Sequence, residues 1–274
     1  MNPTTNIAIR AARQAGRLVM RHFQRIDTLN VRQKQLNEYV SDADLMSEQA
    51  IVDVLRQAYP SHAILAEESG SQGHDEYEWV IDPLDGTHNY LHGLPHFSIS
   101  IALRHRGELQ TGVIYDPLHN DMFVGNRGGG ALLNDRRLRI HHTQALPGAL
   151  VGAALGDRST EQRDIFANLQ SAMLSAGASM RQSGSSALDL AFVAAGYFDG
   201  TWQQGIQAWD MAAGVLLIRE AGGIVTDLHG GDDPFKSGGL LAGNRKVHAA
   251  MSHCLNPTNP ANNTERLQLK RHRT

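Results

Sequence analysis

Residues 79–90 read WVIDPLDGTHNY, and this segment constrains the fold more than any other. The apolar run Trp79-Val80-Ile81 has the character of a buried strand, and Pro83 and Gly86 are expected to end it. Two acids, Asp82 and Asp85, stand where the strand stops. Held about 4 Å apart at an effective dielectric of about 20, two carboxylates repel by roughly 4 kcal/mol. A fold that keeps them together must offset that repulsion with a cation, a proton or solvent. The chain therefore needs a sheet whose strand ends carry chemistry.

Apolar periodicity supplies that sheet and its cover. Ile7, Ala11, Leu18 and Ile26 mark one face of a helix over about 4–25, and Leu45, Val52, Leu55 and Tyr59 mark another over 42–58. Ser41 with Asp44 three residues later is a capping-box pattern, and Pro60 follows the second helix. AILA at 63–66 is a short strand running into Glu67-Glu68. FSISIAL at 97–103, TGVIYD and DMFVG follow as an antiparallel meander. From about 149 the pattern alternates: a strand ALVGAA, a helix near 160–175, a helix 185–195 closed by Gly196, and a helix near 209–221 ending at Gly222-Gly223. Strands GIVTD and LLAG and a helix near 244–253 complete it. The reading is one α/β domain over 1–254, with sub-halves of about 1–145 and 146–254, and a disordered tail over 255–274.

Composition narrows the class without naming a task. A net charge of −3 gives no case for nucleic-acid binding, and the single cysteine, Cys254, rules out an internal disulfide. The opening MNPTTNIAIRAARQAG lacks a signal-peptide core, and no apolar run reaches about 18 residues. A cytoplasmic protein with no membrane contact is expected.

Asp82, Asp85 and Glu67 each follow a predicted strand, and Asp210 opens a predicted helix. Four carboxylates brought together suit a hard cation such as Mg²⁺. A phosphate ester would add about two more negative charges, so cations are needed before such a site accepts one. Backbone N–H groups at Gly86-Thr87 can reach phosphate, and the Thr87 hydroxyl can orient a water. An aspartyl-nucleophile phosphatase would need an acid two residues before Asp85, where Pro83 stands. An EF-hand loop fails for want of its alternating acids. His88, His92 and His96 recur every four residues, but Gly93 and Pro95 oppose a continuous helix there. The competing readings are ordinary ones. Asp44 and Asp210 can be helix-end acids, Arg181 a surface arginine, and Gly184-Ser185 a plain N-cap.

AEES at 66–69, WVIDPLDGTHNY at 79–90, PHFSISIAL at 95–103 and WDMAAG at 209–214 together resemble the inositol monophosphatase family, in order and spacing, over about residues 5–253. The resemblance implies a layered αβαβα sandwich and a Mg²⁺-dependent, lithium-sensitive phosphatase using two or three ions. It implies that Glu67, Asp82 and the Leu84 carbonyl hold one metal and that Asp82, Asp85 and Asp210 hold a second. Glu67 would help a third. Thr87, with Asp44, would position the attacking water. Arg181, Gly184 and Ser185 match the substrate-side loop and helix start, and Asp85, Gly86, Thr87, Gln203 and Asp210 complete the expected substrate contacts. Gln203 stands where many members have Glu, His88 where a small residue is usual, and Glu38 where Asp is common. The first two bear on the substrate. Inositol phosphate or a related polyol phosphate is expected, with histidinol phosphate or a nucleotide-derived bisphosphate as alternatives. A homodimer is expected. The closest likeness is to the bacterial branch, some of whose members act in transcription antitermination and ribosomal RNA maturation through RNA polymerase and its elongation factors. That is the rival role.

Overall fold

A computed structural model describes residues 2–26, 29–35, 38–156 and 159–255. The first half runs α1 (Pro3–Phe23), β1 (Val31–Gln35), β2 (Glu38–Ser41), α2 (Asp42–Ala58), β3 (Ala63–Ala66), β4 (Gly70–Gln72), β5 (Tyr77–Asp85), α3 (Thr87–Leu91), β6 (Ser98–His105), β7 (Glu108–Asp116), β8 (Asp121–Asn126), β9 (Gly130–Leu133) and β10 (Arg136–Arg137). The second runs β11 (Leu150–Leu155), α4 (Thr160–Ser175), β12 (Ser179–Arg181), α5 (Ser186–Ala195), β13 (Gly200–Gln204), α6 (Ala208–Glu220), β14 (Ile224–Thr226), α7 (Pro234–Ser237), β15 (Gly239–Gly243) and α8 (Arg245–Leu255). The tail expected over 255–274 lies outside the described residues beyond Leu255.

Each half contributes a sheet. The first has eight strands in the order β10-β9-β8-β7-β6-β5-β3-β4, and β3 and β5 pair in parallel. From β5 to β8 it is the expected antiparallel meander. The second has five strands in the order β12-β11-β13-β15-β14.

Side-chain alternation fixes the layers. Trp79, Ile81, Ile101, Leu103 and Val113 lie on one face of the first sheet and pack against Ala8, Ala11, Ala15 and Val19 of α1 and Ile51 and Leu55 of α2. Their neighbours one residue away, Val80, Ala102 and Ile114, face the opposite way, into α5 and α6. Those two helices also meet Leu240 and Ala242 of the second sheet. The far face of that sheet carries Val151, Trp202 and Leu241 against Phe166 and Met173 of α4 and Val247 and Met251 of α8. The order is helix, sheet, helix, sheet, helix, as expected.

The middle layer explains the composition of α6. All residues from Met211 to Ile218 are buried, because a helix between two sheets has no solvent face. The approach is close: a Cβ on Gly112 of β7 would lie 2.9 Å from the Ala213 carbonyl oxygen. No described helix is long and apolar enough to cross a membrane.

One expectation needs correcting. Strand β5 does not stop at Ile81 but continues through Pro83 to Asp85. Asp82 pairs with Ser100 and Asp85 with Ser98, so three steps on β5 match two on β6. That extra residue is a bulge, and a bulge tolerates a proline that a regular central ladder does not.

Candidate active site

The bulge decides where the two acids point. In a regular strand, residues three apart face opposite sides of the sheet. One inserted residue reverses the second. Asp82 and Asp85 are thereby turned to one site, where Asp210, from the first turn of α6, joins them. Oxygens of these three carboxylates lie within 4.8 Å of one another.

Asp82 is buried, and its only side-chain hydrogen bond among the described residues comes from the Leu84 N–H at 3.0 Å. Burial pushes its carboxyl well above the ordinary 3.8, and the charges of Glu67, Asp85 and Asp210 push it further. Asp85 is also buried but well served. Oδ1 accepts from Ser186 N–H at 3.0 Å, while Oδ2 accepts from Ala187 N–H at 3.0 Å, Ser98 Oγ at 3.1 Å and Ser185 Oγ. Burial raises its pKa and these donors oppose the rise. The carboxylate thus seats on the open N–H groups at the start of α5, where a negative charge is favoured. Asp210 accepts from Gln207 N–H at 2.6 Å, which caps α6. Glu67 follows β3, with its N–H on the Ile81 carbonyl at 3.1 Å. Its charge reaches Asp82, but its carboxylate stands outside the three-acid group. An all-oxygen, mutually repelling and largely buried donor set fits a small hard dication.

Beside the acids stands a second pair. Thr87 Oγ1 lies 2.9 Å from Asp44 Oδ1 and 2.9 Å from the Leu84 carbonyl. The other oxygen of Asp44 accepts from Ser41 N–H at 2.8 Å and Ser41 Oγ at 2.6 Å, which is the capping box of α2. Burial raises the Asp44 carboxyl and the hydrogen bonds of Ser41 and Thr87 oppose the rise. Just before Thr87, Gly86 has φ 92°, and a Cβ there would lie 3.1 Å from the His96 carbonyl oxygen. Glycine is required on both counts.

The remaining expected contacts are placed less directly. Ser185 is buried, caps α5 through Leu188 N–H and donates to Asp85. Gly184 has φ 87° and lies against the Asn89 amide. Gln203 is fully buried, with Nε2 on the Ser186 carbonyl at 2.9 Å. Arg181 is exposed on edge strand β12 and donates to its neighbour Met180. His88 and His92 are in ring contact, with centroids 4.4 Å apart. The side chain of Glu38 lies outside the described set.

Several supporting residues escape sequence reasoning. Ser47 donates to the Pro83 carbonyl at 2.6 Å, and Glu48 accepts from Glu68 N–H at 2.8 Å. Both follow Asp44 by three and four residues on the buried face of α2, and polar residues at that spacing were the available signal. Asn89 ties α3 to the Ser183 and His96 carbonyls. Asp189 is buried with one oxygen on Ser183 Oγ at 2.6 Å and the other unpartnered. The 79–90 motif contains Asn89 without giving it a role, and nothing in the sequence marks Asp189.

The model of the inositol monophosphatase family matches residues 1–258. The chain belongs to that family. Within it, Nus factor SuhB of Pseudomonas aeruginosa is 44% identical over 267 residues, 95% of this chain and 98% of that one. Among solved structures of similar fold is the extragenic suppressor protein SuhB from Bartonella henselae, with a TM-score of 0.91 and 37% identity over 94% of this chain and all of that one. The inositol monophosphatase from Anabaena has a TM-score of 0.82 and 37% identity, over 94% of this chain and 96% of that one. The inositol monophosphatase fold is therefore the fold of this chain, and its acids stand on the elements described above.

Proposed function

We propose that this chain is a Mg²⁺-dependent phosphomonoesterase acting on inositol monophosphate or a related small polyol phosphate. The observation that carries the reading is the meeting of Asp82, Asp85 and Asp210 within 4.8 Å, next to the Asp44–Thr87 hydrogen bond. Asp82, Asp85 and Asp210, with Glu67 and the Leu84 carbonyl, would hold Mg²⁺, which when bound supplies Lewis acidity towards water and phosphate oxygens.

The chain's own residues do the rest. Thr87 Oγ1 accepts a hydrogen bond from the attacking water while donating to Asp44 Oδ1. As the water oxygen bonds to phosphorus and the ester P–O bond breaks, one water proton moves to Thr87 and the threonine proton moves to Asp44. Burial lifts the Asp44 carboxyl, which makes it a better proton acceptor than an exposed aspartate. The leaving alkoxide takes a proton from solvent. Neither Asp82 nor Asp85 acts as nucleophile, so no phosphorylated protein forms. Hydrolysis of inositol 1-phosphate, glycerol 2-phosphate and histidinol phosphate, with Mg²⁺ and with Mg²⁺ plus Li⁺, tests this reading. Metal-independent turnover, or phosphate trapped on Asp82 or Asp85, overturns it.

The relative named Nus factor SuhB supports a second role, in transcription, served by contacts with RNA polymerase or its elongation factors. Capture of such partners by both the parent and Asp82→Asn would assign that role independently of catalysis. Loss of capture in the variant would tie it to the metal site.

A further inference from the structure

A second concave site lies away from the acids. A cavity of about 700 Å³ opens between α1 and the turns that join β7 to β8 and β9 to β10. Its lining includes Arg10, Arg13 and Arg17 from α1, together with His119, Asn120 and Asn134 from the turns. None of the carboxylates of the candidate active site contributes to it.

The three arginines follow helical spacing, so their side chains leave α1 on one face along about 10 Å of axis. Helix α1 contains no Asp or Glu. Among the described residues, none of the three arginines has a hydrogen bond or ion pair, so three guanidinium forks are uncommitted. A charged helix face is usually a solvated one, but here it walls a cavity, and the opposite wall is built.

The turns are held in place by bonds of their own. Asn120, Asn134 and Asp135 have φ of 56°, 47° and 65°, an uncommon backbone conformation that Asn and Asp tolerate best. Tyr115 donates to Asn120 Oδ1 at 2.9 Å, and Asn134 joins Met122 N–H to Asp121. His119 is held by Asp116 at 2.7 Å through Nδ1. Asp135 is the one acid in the lining, against three arginines. Ile9, Met122 and Val124 add an apolar part.

We propose that this cavity binds a small organic molecule carrying two or more phosphate groups. The guanidinium forks match phosphate oxygens in pairs, the Nδ2 of Asn120, whose Oδ1 alone is engaged, can donate to a hydroxyl or ring polar atom, and the apolar part takes an organic body. The volume lies within the range of small-molecule sites, roughly 300–1,000 Å³. An extended nucleic-acid backbone would need a basic track continuing beyond the cavity, whereas these three arginines line one concave site open to solvent. The proposal stands whether or not the acid cluster is a phosphatase site.

The experiment is equilibrium binding of ATP and of inorganic tripolyphosphate to the full chain in EDTA. Without divalent metal the acid cluster repels anions, so binding there is suppressed. ATP is expected to bind, and to bind more tightly than tripolyphosphate. Arg13→Gln and Arg17→Gln should each weaken ATP by about tenfold, as expected for a lost charge-assisted hydrogen bond. Arg106→Gln, whose arginine pairs with Glu76 elsewhere, should not. Melting curves will show whether the variants are folded. Because the replaced arginines hold no partner, unchanged melting is expected. Should either variant misfold, protection of Arg10, Arg13 and Arg17 from phenylglyoxal by ATP in the parent gives the same answer. Absence of ATP binding, equal affinity in all variants, or Arg-dependent binding of an RNA oligonucleotide without ATP binding would each overturn the proposal.

Discussion

Asp44 has two carboxylate oxygens, and each serves a different neighbour. Oδ2 closes the capping box with Ser41, and Oδ1 meets Thr87. The helix-end and catalytic readings of this residue are therefore compatible, and the capping motif alone revealed only one of them. Thr87→Ser keeps the hydroxyl and is expected to retain most phosphatase activity. Thr87→Val keeps the shape, removes the proton relay and should lower kcat by about 10²–10⁴. Equal activity in the two variants would exclude Thr87 from the reaction. The valine also leaves Asp44 Oδ1 short of a donor, at a cost of about 1–3 kcal/mol, so stability must be measured in parallel. Asp189 offers a cleaner titration. Burial lifts its carboxyl to about 8, opposed by Ser183 and assisted by the Asp85 charge. The folded chain then holds a proton that the unfolded chain gives up near 3.8. Stability contributed by this group is full below that value and drains as pH rises towards about 8. Asp189→Asn cannot titrate, so its stability relative to the parent should climb over that window and level off above it. Denaturant unfolding of both proteins from pH 4 to 9 measures this, and a constant difference would mean that Asp189 is ionised throughout.

At the scale of elements, strands and helices with strong apolar period were legible. Helices α1, α2, α4, α5, α6 and α8 all follow predicted segments: α1 and α2 because one buried face writes itself as a repeat of 3.6, and α5 and α6, buried on nearly every side, because glycines mark where they end. Hairpin β1–β2 was missed. Its first strand reads VRQKQ, with one apolar residue, so pairing rather than burial defines it. The extension of β5 was missed for another reason. Proline argues against a central strand, and only the pairing with β6 shows that a bulge accommodates it. The meeting of Asp82, Asp85 and Asp210 was legible from motif, but the donors holding Asp85 were not, since Ser98, Ser186 and Ala187 carry no chemical mark in a sequence. These donors couple α5 to the site. Ser185→Ala removes the cap on Leu188 N–H and one hydroxyl on Asp85 together. The cap alone is worth about 0.5–2 kcal/mol of stability. Weaker support for ionised Asp85 should also raise the Mg²⁺ concentration needed for half-maximal thermal stabilisation. A stability loss with an unmoved Mg²⁺ midpoint would make Ser185 a cap and nothing more.

At the scale of the whole molecule, the acids sit where parts distant in sequence converge. Asp82 and Asp85 come from the first sheet, the donors on Asp85 come from β6 and α5, and Asp210 comes from the helix layer between the sheets. Folding must press these charges together, so the cluster opposes folding unless protons or cations neutralise it. The sign follows from the raised carboxyls of Asp82 and Asp85. The folded state binds protons that the unfolded state releases, so their stabilising contribution is full below about 3.8 and is lost as pH rises through the raised values. On the proposed reading, Mg²⁺ would take the place of those protons. Its effect on melting should be small in acid and grow with pH, reaching about 2.7 kcal/mol at about 100 times its dissociation constant. For a chain of this size that is a rise of roughly 5–10 °C. Asp210→Asn separates the two roles of that residue. The amide oxygen can still accept from Gln207 N–H, so the cap survives, while one repelling charge and one proposed metal ligand disappear. In EDTA near pH 8 the variant should melt no lower than the parent, and its Mg²⁺-induced rise should shrink. An Asp210 that served only as a helix-end charge would cost a few tenths to about 1 kcal/mol on neutralisation and leave the Mg²⁺ response untouched. Taking the difference between EDTA and Mg²⁺ curves at each pH cancels every titration that the metal does not touch. A rise independent of pH, and equal in parent and variant, would place the metal elsewhere in the fold.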